Sequence, residues 1–384
     1  MAAATVEHRR LWHAVIPAGV VVAGSLSVIA ALWIRGTTYA GPLHWTALVG
    51  MAFAVTFGLV PFVERYSVRQ GIVDIPSARK VHGSPTPLLG GVAVASGFVV
   101  TVLLNFSFSR QLKGVLVGAA IIVVIGVLDD ILDVPARWKL AAQVLAAVAA
   151  VLYGVVIRLV PGWLPGAGGA NAVLTVLWLL TVTNAIQFLD GMDGLAAGLG
   201  VIAALFFGVA ALQTGQPYLM SLSASLAGAC AGFLPYNFRR GGARIFLGDA
   251  GASFIGFTLA GLAAMGEWSA DSPAVALTTP LLILAVPLFD IAFVGVVRVV
   301  TGTVASVDEW LAYTGKDHIH HRFEALGLTK AQSVLLIYFI ALTLGISATV
   351  LGGGGMREAA LVLLQAGCVL AIIAILERVG RARQ

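Results

Sequence analysis

The chain has 384 residues, of which 59% are hydrophobic and only 11% charged, with a mean hydropathy of +0.97. Soluble domains carry about 25% charged residues, so composition excludes one and indicates a protein that crosses a bilayer many times. The net charge of +5 does not call for a nucleic-acid partner, because basic cytoplasmic loops account for it in a membrane protein. Cys230 and Cys368 both fall in apolar runs and read as small core residues.

Runs long enough to cross about 30 Å of hydrocarbon occur twelve times, at 11–34, 45–63, 89–105, 114–128, 138–158, 172–189, 195–213, 219–236, 252–266, 274–299, 333–351 and 358–376. The first follows His8-Arg9-Arg10 but is too long for a signal-peptide core and lacks a cleavage site, so it reads as a helix. The pattern predicts an all-α polytopic bundle, one membrane domain over 1–384. With twelve spans both termini lie on one side, and 18 of the 23 Lys and Arg lie on that side. The asymmetry puts termini and large basic loops in the cytoplasm.

Those loops hold the chemistry. The first, DIPSARKVHGSPTPLLGG (74–91), offers Lys80, Arg79 and His82 as phosphate or nucleotide contacts, or as an ordinary basic loop. The second, VLDDILDVPARWKLAAQ (127–143), crowds Asp129, Asp130 and Asp133 at a membrane edge, with Asp129 and Asp133 on one helical face. Three adjacent carboxylates repel unless a cation or a proton intervenes. A Mg²⁺ ion carrying phosphate is one resolution, and a carboxyl with a raised pKa serving as a base is another.

The third loop, NAIQFLDGMDGLAAG (184–198), sets Asp190 and Asp193 among Gly191, Met192 and Gly194 between two apolar runs. Carboxylates there are costly, which makes the pair a site candidate rather than a simple helix cap, and the glycines allow close backbone approach to a ligand. In the fourth, PYNFRRGGARIFLGDAGASFIGF (235–257), Asp249 suits a Mg²⁺ ligand, and Phe246 offers a face for stacking on a base. The fifth carries GKDHIHHRF (315–323), whose His318, His320, His321 and Arg322 make a poor zinc set without a fourth placed ligand and a better donor set for an anionic substrate. His8, His13 and His44 receive no role.

Taken together, DxPxxRKxH…PxxGG, DDxxD, NAxxxxDGMDGLAAG, IFLGDAG and HIHHR, in this order from Asp74 to Arg322, resemble the polyprenyl-phosphate N-acetylhexosamine-1-phosphate transferases of glycosyltransferase family 4 and the related phospho-N-acetylmuramoyl-pentapeptide transferases. The resemblance implies a ten- or eleven-helix core with cytoplasmic active-site loops. Here the core runs from about 45 to 351, with 11–34 and 358–376 as additions at its ends. It implies transfer of a sugar 1-phosphate from a UDP-N-acetylhexosamine to polyprenyl phosphate with release of UMP, in the plasma (inner) membrane. The cofactor it implies is Mg²⁺, with Mn²⁺ as its substitute, and it suggests a homodimer for which the sequence shows no interface.

Carried onto this sequence, the resemblance makes Asp129, Asp130 and Asp190 catalytic and Asp249 the metal ligand. It assigns Asp129 and Asp130 to the lipid phosphate, Asp193 and Phe246 to the uracil, and Asp190 and Asn184 to the diphosphate and sugar region. Lys80 lies near the nucleotide, and His318, His320, His321 and Arg322 read the sugar. Gln187 stands where the family usually has Asn, Ala252 where it usually has Ser, and Gly241-Gly242 lengthen the fourth loop. The histidine loop looks like the N-acetylglucosamine branch, ahead of a muramoyl-pentapeptide donor. An intramembrane prenyltransferase would use an Asp-rich loop but gives no account of GDAG and HIHHR. A transporter would want acids within spans, where only Asp290 sits, beside Pro287.

Overall fold

A computed structural model describes residues 42–75, 85–105, 109–302 and 318–381. The predicted span at 11–34, and Lys80, Arg79 and His82 of the first loop, lie outside the described residues.

The chain is an all-α polytopic membrane protein. In order, the helices are α1 (Pro42–Gln70), α2 (Gly90–Asn105), α3 (Arg110–Leu132), α4 (Ala136–Leu152), α5 (Ala167–Leu189), α6 (Leu195–Gln213) and α7 (Pro217–Asn237). They continue with α8 (Gly248–Met265), α9 (Pro273–Ile283), α10 (Ala285–Val300), α11 (Ile319–Ala325), α12 (Lys330–Val350) and α13 (Met356–Arg381). Two-residue strands β1 (Val73–Asp74) and β2 (Thr86–Pro87) pair antiparallel, Val73 opposite Pro87, and close the first loop at its base.

Each of the eleven predicted runs from 45 onward meets a helix, but the runs are not eleven uniform spans. Among the described residues, eight helices are long and apolar enough to cross a membrane, or nine if a bent pair counts as one. The 16 residues of α2 rise only about 24 Å. The run at 114–128 proves longer than its apolar stretch, because α3 continues through Asp129 and Asp130 to Leu132. The run at 274–299 breaks at Leu284 into α9 and α10, bent by 78°. Pro287 explains the position: it has no N–H for the carbonyl of Ile283, and its ring clashes with that carbonyl.

The post of the bundle is α8, buried along nearly its whole length from Ala250 to Ala264. It packs against α2, α3, α5 and α6. Small residues make the approach possible: a Cβ on Gly91 would lie 2.1 Å from Gly251 Cα, and one on Gly126 would lie 2.3 Å from Ala250 Cα. Without a hydrophobic force between helices in lipid, such contact is what holds them together. It also draws the C-terminal end of α3 and the N-terminal end of α2 onto the first turn of α8, where Asp249 sits.

Candidate active site

Four of the predicted loops converge on that first turn. Gly248 adopts φ 73°, a left-handed conformation natural to glycine, and a Cβ there would stand 2.6 Å from Asp130 Oδ2. Asp130 Oδ1 accepts from the backbone N–H of Asp249 at 2.9 Å, and Oδ2 from that of Ala250 at 3.5 Å. The carboxylate thus caps α8 from a neighbouring helix, satisfying amides that no helix satisfies for itself. From the other side, Gly90 and Gly91 donate to the carbonyls of Phe246 and Leu247, and Phe246 N–H donates to Pro87.

The side chain of Asp249 is tied laterally. Its Oδ2 accepts from Gln187 Nε2 at 2.7 Å and from Lys139 Nζ at 3.2 Å. Lys139 also bridges to Asp129 Oδ2 at 2.9 Å, while Asp129 Oδ1 accepts from Val134 N–H at 2.8 Å. One ammonium therefore joins two of the motif carboxylates. Asp133 does not share a face with Asp129 as its spacing predicts. It ends α3 in a left-handed conformation, φ 54°, and is exposed.

Asp190 caps the C-terminal end of α5 through its backbone, and among the described residues its carboxylate makes no hydrogen bond. Burial, and then the charges of Asp249, Asp130 and Asp193, push its pKa well above the ordinary carboxylate range. Asn184 sits one and a half turns back on α5, where it exchanges hydrogen bonds with Gln143 (Nδ2 to Oε1 2.7 Å).

The loop after Asp190 is clamped. Asp193 Oδ2 accepts from Ala243 N–H at 2.9 Å, and Gly194 N–H donates to Asn237 Oδ1 at 2.6 Å. Tyr338 OH donates to the Gly194 carbonyl at 2.5 Å. Gly241 and Gly242, both at φ 99°, bring Ala243 to Asp193. Arg244 beyond them forks onto Glu64 of α1 (2.6 and 3.2 Å). Phe246 is half-buried between these clamps and Asp249. The close approach expected of Gly191 is made to a histidine: a Cβ there would stand 2.3 Å from His320 Nε2.

His320 is 1% exposed and neither ring nitrogen has a hydrogen-bond partner. Burial first, then the neighbouring His321 and His318, hold its pKa well below the usual value. His318 is fixed instead by Asp290, whose Oδ2 lies 2.6 Å from Nδ1 while Oδ1 accepts from Ile319 N–H at 2.7 Å. Its ring also lies against Phe188. His321 pairs at 3.5 Å with Glu324, and Arg322 is buried in α11.

Three contributors were not among the predicted site residues. Lys139 and Gln143 stand within the second loop, one helical turn apart, but a lysine there reads as an ordinary basic residue. Asp290 carried the clearest signal, an acid inside a span. Its partner sits 28 positions away, beyond a loop.

Among the described residues, no group of three or more His, Cys, Asp or Glu is placed to hold a metal ion by itself. The oxygens of Asp249 and Asp190 nevertheless suit Mg²⁺, which takes one or two carboxylates and completes its shell with phosphate and water.

Residues 112–267 match the model of glycosyl transferase family 4. The chain is 37% identical over 304 residues to a probable undecaprenyl-phosphate N-acetylglucosaminyl 1-phosphate transferase of Bacillus subtilis, covering 76% of this chain and 81% of that one. It is 36% identical over 351 residues to the decaprenyl-phosphate N-acetylglucosaminephosphotransferase of Mycobacterium tuberculosis (83% and 84%). To a phospho-N-acetylmuramoyl-pentapeptide-transferase of Moorella thermoacetica it is 32% identical over 322 residues (77% and 95%). With relatives this similar over most of both lengths, the chain belongs to glycosyl transferase family 4.

Proposed function

We propose that the protein transfers N-acetylglucosamine 1-phosphate from its UDP-sugar to a polyprenyl phosphate, releasing UMP on the cytoplasmic face of a plasma membrane. The observation that carries this reading is the bridge from Asp129 through Lys139 to Asp249. It joins a carboxylate at the membrane edge to the proposed metal ligand. The names of the B. subtilis and M. tuberculosis relatives support the sugar and the lipid acceptor.

In this reading a lipid phosphate oxygen attacks the β-phosphorus of the nucleotide sugar in line, and the bond to the UMP oxygen breaks. Phosphoryl transfer asks a protein mainly for positioning and charge. Lys139 holds the incoming phosphate beside Asp129, and Asp130 fixes the backbone of Asp249 at the diphosphate. Asp249 and Asp190 would hold Mg²⁺, which when bound would supply positive charge to offset that of the diphosphate. A phosphate with pKa near 6 needs little help to ionise, so orientation outweighs proton removal at Asp129. Asp193 and Phe246 flank the nucleoside, while Asn184 and the histidine helix α11 flank the sugar.

The test is UMP release by the purified protein in detergent, with Mg²⁺ and undecaprenyl phosphate. UDP-N-acetylglucosamine, UDP-N-acetylgalactosamine and the muramoyl-pentapeptide nucleotide are offered as donors. Release with the first alone, lost with EDTA or in Asp249→Asn, is the expected outcome. Release with the muramoyl nucleotide alone would reassign the donor, and no release with any would end the reading.

A further inference from the structure

Arg244 is anchored to a residue outside the motifs. Its Nε and Nη2 donate to the two carboxylate oxygens of Glu64 on α1, at 3.2 and 2.6 Å, and its guanidinium lies over the ring of Tyr236 at 5.5 Å. The two side chains are only 25% and 18% exposed, whereas Arg239 and Arg240, a few residues earlier, face solvent. A two-point fork fixes direction as well as distance, and a partly buried one is screened less than a surface pair. Glu64 itself directly follows the apolar run of 45–63, before the first motif begins at Asp74.

The foot of this anchor is rigid. A Cβ on Gly228 or Gly232 of α7 would run into the carbonyls of Val49 and Phe53 on α1, so the two helices meet backbone to backbone. Further along, Tyr236 OH donates to the Phe57 carbonyl at 3.0 Å. Glu64 stands two turns beyond Phe57, and its carboxylate is therefore placed by the α1–α7 pair.

The anchored segment carries both walls of the proposed nucleoside position. Arg244 N–H donates to the Tyr236 carbonyl at 2.9 Å. On one side of it, Ala243 N–H holds Asp193 Oδ2 at 2.9 Å. On the other, Phe246 donates to the Pro87 carbonyl and accepts from Gly90 N–H. A shift of Arg244 moves the amide that holds Asp193 and the ring of Phe246 together.

We infer that Glu64, acting through Arg244, is a positioning residue for the uridine nucleotide, fixing how Asp193 and Phe246 stand to one another without touching the substrate. The inference rests on the donor proposed above. The competing role for a cation this near a diphosphate is direct contact with phosphate. The fork argues against it, because the guanidinium is aimed at Glu64 and that carboxylate offsets the charge a phosphate would use.

The two roles give opposite signs for one substitution. Glu64→Ala releases a cation, so a phosphate contact would bind UMP more tightly and a positioning pair binds it more weakly. Isothermal titration of UMP and of UDP-N-acetylglucosamine, with Mg²⁺, into the purified protein in detergent reads the sign without turnover. Glu64→Ala and Arg244→Ala are each expected to raise both dissociation constants by about 10- to 100-fold, the scale of misplacing a site by about 1 Å. Arg244→Lys, which keeps the charge and loses the fork, should weaken binding too. The double variant should be no worse than either single one, because the two residues act as a unit. KM for undecaprenyl phosphate should stay as in wild type.

Unchanged or tighter nucleotide binding in Glu64→Ala, additive losses in the double variant, or an equal rise in the lipid KM would overturn the inference while leaving the transfer reaction in place. A wild type that binds UMP but releases none from any donor would fail the transfer reaction, and weaker UMP binding in Glu64→Ala would still support the pair.

Discussion

Asp290 holds His318 at 2.6 Å and the next backbone amide at 2.7 Å, so one buried carboxylate of α10 both orients an imidazole and caps the helix that carries His320 to Gly191. A carboxylate only accepts, so Nδ1 of His318 carries a proton. Asp290→Asn keeps an oxygen for Ile319 but turns an amide donor toward the Nδ1–H, so the bond that orients the ring is lost. Kinetics of UMP release should show kcat/KM for the donor lower by about 10- to 100-fold, the usual effect of losing a partner that orients a site histidine. The KM for the lipid should not move. Equal loss toward both substrates, or none, would show that Asp290 only braces the broken span.

Lys139 supplies the positive charge between Asp129 and Asp249, the place where two phosphates meet in the proposed reaction. Lys139→Gln should lower kcat by about 10²- to 10³-fold, the scale seen when a single donor to developing charge is removed. The same variant should bind Mg²⁺ more tightly, because a cation has been taken from beside its carboxylate. Titration with Mn²⁺ as a paramagnetic probe checks the second effect. Weaker metal binding would mean that Lys139 holds Asp249 in place rather than sharing the substrate.

Asp130 and Asp129 are neighbours with different surroundings, and substitution should separate them. Asp130 accepts from two amides at the start of α8, so Asp130→Ala should cost about 1 kcal/mol of stability, as loss of a helix cap does, together with activity. Asp129→Asn leaves α8 untouched and should lose turnover with its melting temperature in detergent unchanged. Indistinguishable melting curves for the two variants would remove the capping role.

Most of the bundle was legible in the sequence, because an apolar run as long as a bilayer is thick is stable as a helix in lipid and exposes too much hydrocarbon to sit in water. The break at Leu284 was half visible: Pro287 marks it, but composition alone could not say whether the span bends or kinks. The acid cluster was legible as separate loops, each motif placing one or two carboxylates at a membrane edge. What the sequence does not show is which acids touch. Asp130 faces the amide of a residue 119 positions away, and Gln187 reaches across to Asp249 at 2.7 Å. Those contacts depend on how closely Gly91, Gly126 and Gly251 let α2, α3 and α8 approach, a matter of packing that single-residue chemistry does not encode.

The pH response should report Asp190. Burial and three neighbouring carboxylates raise its pKa, so the folded protein holds this proton more tightly than the unfolded chain does. The stability it contributes is therefore complete below the ordinary carboxylate pKa of about 4 and is lost as pH rises through the raised folded value. A divalent cation answers the same crowding once the proton has gone, so Mg²⁺ should stabilise the protein more at about pH 8 than at about pH 5. Melting in detergent with EDTA and with Mg²⁺ at both pH values measures the difference, and Asp190→Asn should shrink it. A Mg²⁺ effect of the same size at both pH values, or one that survives in Asp190→Asn, would mean that Asp249 meets the cation without Asp190.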